Sequence, residues 1–279
     1  MAPKIDLHTH TTFSDGTLTP RELVELAVER DLRAIAGTDH DSTEGLGQAF
    51  EAAEGTGLEI VPGVEFSTVH DGHGIHVLAY WMDLDDEEFQ AELRRLREDR
   101  WTRGQRMVRR LQELGYPVSF DRVQEIAEGK NIVRPHIAQA LVEAGVVSSI
   151  DEAFTPEFIA NDGRAYVEKH ALDPVDALAL IKRANGVAVV AHPGLFREGM
   201  GVPDEVLERM VESGLDGIEA GHPDHPPDAE QRYREMAGGL GLVATGSSDC
   251  HGTRYDPIRL GSVTTDPDQF ARLRARRPR

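Results

Sequence analysis

His8 and His10 lie two apart behind a short apolar run, and Asp15-Gly16 follows within a turn. In an extended strand, residues i and i+2 point to the same side. Both imidazoles therefore aim at one spot, and Asp15 reaches back toward it. Alone the pair says little, because most histidine pairs sit on surfaces or in cores. Its company is informative. His40 stands in Thr38-Asp39-His40-Asp41, Glu65 closes Pro62-Gly63-Val64-Glu65, and His192 lies in Ala191-His192-Pro193. His76 lies inside an apolar stretch, and Asp249 and His251 end Ser247-Ser248-Asp249-Cys250-His251. Imidazole and carboxylate without thiolate suit Zn²⁺, Mn²⁺ or Fe²⁺, and do not suit Ca²⁺ or an iron–sulfur cluster. Nine such ligands exceed one tetrahedral ion and suffice for two or three ions that share a bridging carboxylate. Ions about 3.5–4 Å apart clamp both the attacking and the leaving oxygen of a phosphoryl displacement.

Individually these residues have plainer readings. His76 fits a packed, hydrogen-bonded core histidine, Glu65 an exposed strand end, Asp15-Gly16 an ordinary turn and Asp41 a helix cap. Joint placement decides between the two. A histidine or an acid follows the first, second, third, fifth and seventh strands, which favours metal binding at one rim.

The elements that must position them alternate. Residues 4–7 read as a buried strand, and Thr19-Pro20-Arg21-Glu22 as a capping box with proline at the first helical position. Residues 33–37 give a second strand, 43–54 a helix stopped by Gly55 and Gly57, and 58–64 a third strand closing on Glu65. Residues 66–69 and 75–80 flank a hairpin turn at His70-Asp71-Gly72-His73-Gly74. From 85 to 160 the periodicity is helical. It marks a long helix with a break suggested at Gly104, and a second helix at 134–144 stopped by Gly145. Alternation resumes where Asp173-Pro174 opens a helix that Gly186 closes. Strands follow at 187–191, 217–219 and 242–244, with a last short one at 262–265. The arginine-rich end, 272–279, is expected to fray. About seven strands alternating with helices predict an α/β fold, a barrel rather than an open doubly wound sheet. The expected division is a discontinuous barrel at 1–84 and 165–268, a helical insertion at 85–164, and a basic tail at 269–279. No glycine-rich phosphate loop follows a strand, so a nucleotide cofactor is unsupported.

Bulk properties narrow the class. The 279 residues suffice for a substantial core. A formal charge of −19 argues against sequence-independent binding to long duplex DNA. No apolar run approaches the roughly 20 residues of a membrane span. The amino terminus lacks a signal-peptide core, and the single cysteine, Cys250, agrees with a reducing compartment. Together they suggest a cytoplasmic protein.

Asp-Leu-His-Thr-His with Ser-Asp-Gly, Thr-Asp-His-Asp, Pro-Gly-Val-Glu, Ala-His-Pro and Ser-Asp-Cys-His, in this order, resemble the motifs of the PHP (polymerase and histidinol phosphatase) domain. The resemblance runs from about Lys4 to Gly261 and, with the helical insertion, is strongest to the TrpH/YciV-like branch. It implies a distorted seven-stranded β/α barrel with a trinuclear metal site. By motif, His8, His10, Glu65 and Asp249 hold a first metal. Glu65 bridges to a second, completed by His76 and His192, and Asp15, His40 and His251 hold a third. Cys250 stands where an apolar residue is expected and reads as a small buried side chain.

The same resemblance makes Arg134-Pro135-His136 the branch's Arg-x-His, set over the metals and contacting a nucleotide phosphate. Arginine suits that task through a bidentate clamp. A solvated helix face is the plainer expectation for Arg103, Arg106 and Arg110, which share one side of the long helix. His222 and His225 follow the sixth strand and rank, below the nine ligands, as supports behind them or as phosphate contacts, with His222 also a candidate proton donor and Asp249 a catalytic ligand. The implied reaction is attack of a metal-bridging hydroxide on phosphorus, with two to three divalent ions as cofactors. The branch points to nucleoside 3′,5′-bisphosphates and to short 5′-phosphorylated single-stranded RNA as substrates. Another small-molecule phosphatase, for example on histidinol phosphate, is the alternative. A non-catalytic module with structural metals is weaker, since structural sites are usually closed and thiolate-rich.

Overall fold

The computed structural model describes residues 3–128, 132–168, 171–195 and 202–278. Seven strands form one sheet in sequence order: β1 (Lys4–Thr9), β2 (Leu32–Gly37), β3 (Glu59–His70), β4 (His73–Tyr80), β5 (Val187–Val190), β6 (Gly217–Gly221) and β7 (Val243–Gly246). The pairs β1–β2, β2–β3, β5–β6 and β6–β7 are parallel, whereas β4 runs antiparallel to both β3 and β5. Closure is made beyond the last strand. His10 N donates to Cys250 O at 2.8 Å, and Cys250 N to His8 O at 3.3 Å. The segment after β7 thus locks onto the end of β1, and the barrel expectation holds.

The parallel strands are buried on both faces, so they read as near-continuous apolar runs. Ile5, Leu7, Val61, Leu78, Tyr80 and Val189 are among the residues that fill the interior. Helices α1 (Pro20–Glu29) and α2 (Leu46–Ala53) cover the first part of the barrel. Thr19 caps α1 with the expected box, and Leu23, Val24 and Ala27 turn inward. Asp173 caps α7 (Pro174–Arg183) by accepting from Val175 N at 2.9 Å.

Between β4 and α7 the chain is helical: α3 (Glu87–Glu113), α4 (Phe120–Ile126), α5 (Arg134–Glu143) and α6 (Ile150–Ala153). These helices bury their own cluster, including Met107, Leu111, Val123, Ile137, Leu141 and Phe158. They form an insertion subdomain on the barrel. Helices α8 (Asp204–Glu212), α9 (Pro227–Leu240) and α10 (Pro267–Arg274) complete the outer layer.

Four local expectations differ from the structure. α3 runs unbroken through Gly104, whose absent side chain makes room for packing: a Cβ there would lie 2.9 Å from Ile132 Cγ2. β3 is one 12-residue strand, not two, because Pro62-Gly63 marks a change of partner. Residues 59–62 pair with β2, and 63–70 with β4. Residues 262–265 form no strand, although Thr265 N still donates to Ile5 O at 2.8 Å. The basic end does not fray from Arg272, since α10 reaches Arg274 with Phe270 and Leu273 buried. Arg279 of that end lies outside the described residues. No described helix is long and apolar enough to cross a membrane.

Candidate metal centre at the barrel rim

Closure of β1 against the segment after β7 brings together residues more than two hundred positions apart. His8 Nε2 lies 3.1 Å from His10 Nε2. Asp249 Oδ1 stands 3.3 Å from the first nitrogen and 3.2 Å from the second. Glu65 Oε2 stands 3.4 and 3.2 Å from the same pair. Its other oxygen, Oε1, is 2.8 Å from His76 Nδ1 and 3.1 Å from His192 Nε2. Glu65 thus faces two donor sets with two oxygens, as a bridging carboxylate must. On the far side, Asp15 Oδ1 is 3.2 Å from His251 Nε2 and 3.9 Å from His40 Nε2.

Four overlapping groups result, each with its donor atoms within 4.8 Å of one another: His10–Asp15–His40–His251, His8–His10–Asp249, His8–Glu65–His192 and His40–Glu65–His76. All nine candidate ligands fall in at least one. His76 explains why strand ends alone were an incomplete guide. It sits early in β4, and that strand runs against its neighbours, so its beginning reaches the rim where theirs end. His40 is more shared than its motif implies: Nδ1 is 2.9 Å from Glu65 Oε2 while Nε2 faces Asp15.

The donors fit divalent cations. Asp15 Oδ1 and Asp249 Oδ1 are buried without a hydrogen-bond partner, an arrangement that costs free energy unless a cation completes it. Burial alone would raise the pKa of Asp249, yet His8 and His251 hold it well below the usual carboxylate range. Glu65 is likewise held low against burial by His40, His76 and His8, and Asp15 by His251 and His40. Conversely, burial opposes charge on His8, but Glu219, Asp249 and Glu65 keep it well above the ordinary histidine value. These carboxylates create the field that a metal would occupy. Clustered histidine and carboxylate groups therefore make one or more divalent-metal sites. Cys250 takes no part, being fully buried with its thiol pushed up to about 11 by burial.

Backbone strain accompanies the site. His192 and Asp249 have φ of 28° and 47°, in the left-handed region that non-glycine residues rarely occupy. Gly16 follows Asp15 because nothing larger fits: a Cβ would lie 2.3 Å from His10 O.

Several supporting residues escaped sequence reasoning. Glu219, on β6, places Oε1 3.1 Å from His8 Nδ1 and accepts from His192 N on Oε2 at 2.7 Å. Such a carboxylate fixes the tautomer that leaves Nε2 for a metal. Ser14 Oγ is 3.2 Å from His10 Nδ1 and donates to Asp39 Oδ1 at 2.6 Å. Arg100 of α3 donates through Nε to Asp41 Oδ2 at 2.7 Å and also to Ser67 Oγ, which lies 3.3 Å from His40 Nδ1. The insertion is thereby tied to the rim. Asp41 does not cap the following helix, whose N-cap is Gly45; its carboxylate takes Ser67 N and Arg100 instead, and its own backbone φ is 50°.

The remaining candidates divide. His136 lines a cavity of about 320 Å³ together with Asp15. Arg134 donates to Asn161 Oδ1 at 2.9 Å and to Ile159 O at 3.3 Å, with Phe154 beneath its guanidinium. His222 accepts from Asp224 N on Nδ1 at 3.1 Å, so in the neutral ring its proton is on Nε2, 3.3 Å from Asp249 Oδ2. With its side chain 1% exposed, His222 steadies Asp249 and is poorly placed to protonate a leaving group. His225 departs from expectation: both ring nitrogens are taken by backbone, Nδ1 with Ala220 O at 2.8 Å and Nε2 with Gly194 N at 3.2 Å. It braces β6 against the loop after β5. Of the arginine row, Arg106 and Arg110 are exposed as expected, Arg110 donating to Tyr166 O, but Arg103 is half-buried and donates to Val167 O at 2.7 Å.

Comparison with known proteins agrees with this geometry. The PHP domain family matches residues 6–142. The 5′-3′ exoribonuclease Rnm of Escherichia coli is 33% identical over 248 residues, 88% of this chain and 84% of that protein. The 3′,5′-nucleoside bisphosphate phosphatase of Chromobacterium violaceum is 32% identical over 248 residues, 88% of this chain and 87% of that protein. A solved Bifidobacterium adolescentis structure superposes with a TM-score of 0.92 at 36% identity, covering 100% of this chain and 98% of that one. The chain belongs to the PHP-domain family and is a metal-dependent phosphoesterase of its TrpH/YciV-like branch.

Proposed function

We propose that this protein cleaves the 3′-phosphate ester of nucleotides that carry a 5′-phosphate. Its substrates are then pAp-like nucleoside 3′,5′-bisphosphates and short 5′-phosphorylated RNA, taken in the 5′→3′ direction. One observation carries the reading. The insertion supplies Pro135, His136 and Gln139 to a cavity whose barrel side holds Asp15 of the metal rim. A volume of about 320 Å³ suits a nucleotide and is too small for a duplex. Both reactions break a 3′ ester while the 5′ end is held, so one site accounts for both relatives' named activities.

In this reading His8, His10, Glu65 and Asp249 hold one ion, Glu65, His76 and His192 a second, and Asp15, His40 and His251 a third, as Mn²⁺, Fe²⁺ or Zn²⁺. Divalent ions there supply Lewis-acid charge for the phosphoryl oxygens and make water a competent nucleophile at neutral pH. The chain's own work is positioning. Glu219 fixes His8, Ser14 fixes His10, and His222 fixes Asp249. His136 holds the 5′-phosphate from the insertion, with Arg134 next to it at the start of α5, and the insertion also screens the reacting ester from bulk water.

Purified protein loaded with Mn²⁺, given pAp and a 5′-phosphorylated pentaribonucleotide, tests this. The expected products are inorganic phosphate from pAp and nucleoside 5′-monophosphates released successively from the 5′ end of the RNA. Turnover of histidinol phosphate with both nucleotide substrates intact would move the protein to the small-molecule phosphatase reading.

A further inference from the structure

Arg254 has an unusual set of neighbours. It ends the 3₁₀ turn Gly252–Arg254, directly after His251, and its side chain is only 24% exposed. Other arginines with comparable burial find acceptors: Arg30 donates to Ile258 O at 2.9 Å and Leu260 O at 2.7 Å, and Arg100 closes on Asp41. Arg254 has none among the described residues. Asp15 lies beside it, with Nη1 3.7 Å from Oδ2, beyond hydrogen-bond reach. Five N–H donors in a fixed fork therefore border the 320 Å³ cavity without a protein acceptor.

The opposite wall is complementary. His136 Nδ1 accepts from Val133 N at 3.3 Å, which places the proton of the neutral ring on Nε2. Burial keeps that ring neutral by lowering its pKa to about 4. Nε2–H has no hydrogen-bond partner among the described residues. Thr12 and Thr17 border the same space. Asp15 does not repel an anion there with its full charge, because its Oδ1 is turned toward His251 and His40. A guanidinium from the barrel and a neutral N–H donor from the insertion thus face one cavity beside the metal rim. The lining also holds Asp15 and Glu128, so the fork and the N–H donor suit a group with several anionic oxygens through directed hydrogen bonds and not through an excess of positive charge.

We propose that Arg254 is a specificity-determining residue that, with His136 across the cavity, binds the non-reacting phosphate of the substrate. This rests on the reading that the substrate carries a second phosphate besides the one cleaved. Arg134, already tied to Asn161 and Ile159, is not among the residues that line the cavity, so His136 supplies the insertion-side contact and Arg254 the barrel-side clamp.

The test compares wild type with Arg254→Ala and Arg254→Lys in Mn²⁺-loaded protein. Three quantities are measured: kcat/KM for pAp, kcat/KM for adenosine 3′-monophosphate, and affinity for AMP relative to adenosine. In Arg254→Ala the selectivity for pAp over the 3′-monophosphate falls by about tenfold or more, as does the preference for AMP over adenosine. Arg254→Lys recovers part of both, since it keeps the charge and loses the fork. Selectivity and AMP preference within twofold of wild type in Arg254→Ala overturn the inference. So does a loss of bound metal with both ratios unchanged, which would make Arg254 a brace for Asp15. If the wild type fails to turn over pAp while AMP binding still depends on Arg254, the bisphosphate reading falls and the anion site stands. If pAp is turned over and neither ratio moves, the reverse holds.

Discussion

Glu219→Gln alters the site by replacing one oxygen with an amide nitrogen. In the native protein both carboxylate oxygens accept: Oε1 faces His8 Nδ1 at 3.1 Å, and Oε2 takes His192 N–H at 2.7 Å. An amide offers one acceptor oxygen, and its NH₂ cannot accept. Whichever way the glutamine turns, one buried N–H meets another donor. Losing a hydrogen bond to a charged acceptor costs about 1.5–3 kcal/mol, roughly 10–150-fold in an equilibrium constant. His8 needs its proton on Nδ1 to leave Nε2 for a metal, so most of that loss should appear as metal affinity. The expectation is a 10–100-fold weaker Mn²⁺ affinity, about what removing a partner behind a ligating histidine costs. Chelator competition measures it, and thermal melting of the metal-free protein shows whether the fold survives. Affinity within twofold of wild type, in a variant that melts normally, refutes the role given to Glu219.

Protons should compete with metal. In the metal-free protein burial opposes charge on His10, but Asp249 and Glu65 raise its pKa to about 10, and His8 also stands well above its usual value. The carboxylates favour protons on this pair, so metal binding expels them and apparent affinity climbs about tenfold per pH unit for each one displaced. Isothermal titration between about pH 6 and 8 reads this directly, and a flat profile would contradict it. Cys250, its thiol raised to about 11 by burial, should resist Ellman's reagent in the native state. At pH 8 its thiolate fraction is about 0.1%, against about a quarter for an ordinary thiol, and rapid stoichiometric labelling without denaturant would be the contrary result. Gly16→Ala should destabilise the fold by about 1–3 kcal/mol and weaken metal retention at the Asp15 group, because the new Cβ meets His10 O at 2.3 Å. Unchanged denaturant stability and metal content would show that the loop gives way freely.

Much of the site was legible because barrels put chemistry in loops after apolar strands. His8, His40, His192 and Asp249 stand out as polar residues at the ends of hydrophobic runs, and order along the chain groups them. Supporting residues carry no such signal. Glu219 is absorbed into the short strand expected at 217–219, and only three-dimensional closure reveals His8 behind it. Arg100 is one of eight arginines between 94 and 110, and nothing in their spacing says which one reaches Asp41. Its partners lie 33 and 59 residues away. His225 misled for the opposite reason: its place after β6 is that of a substrate contact, but its ring is consumed by the backbone of β6 and of the loop after β5. Element boundaries failed where tertiary context overrode local signals. Glu65 looks like a strand end yet lies within β3, and Gly104 serves close packing with Ile132 where flexibility would have predicted a kink.

The central claim is that the rim groups form a metal centre that performs phosphoester hydrolysis. Phosphate release from pAp by chelator-stripped protein, followed as Mn²⁺ is added back, tests it most directly. Activity should be absent without metal, return as metal is restored, and saturate at two to three equivalents per chain. Release of phosphate that ignores the metal, or no release at saturating metal, would contradict it.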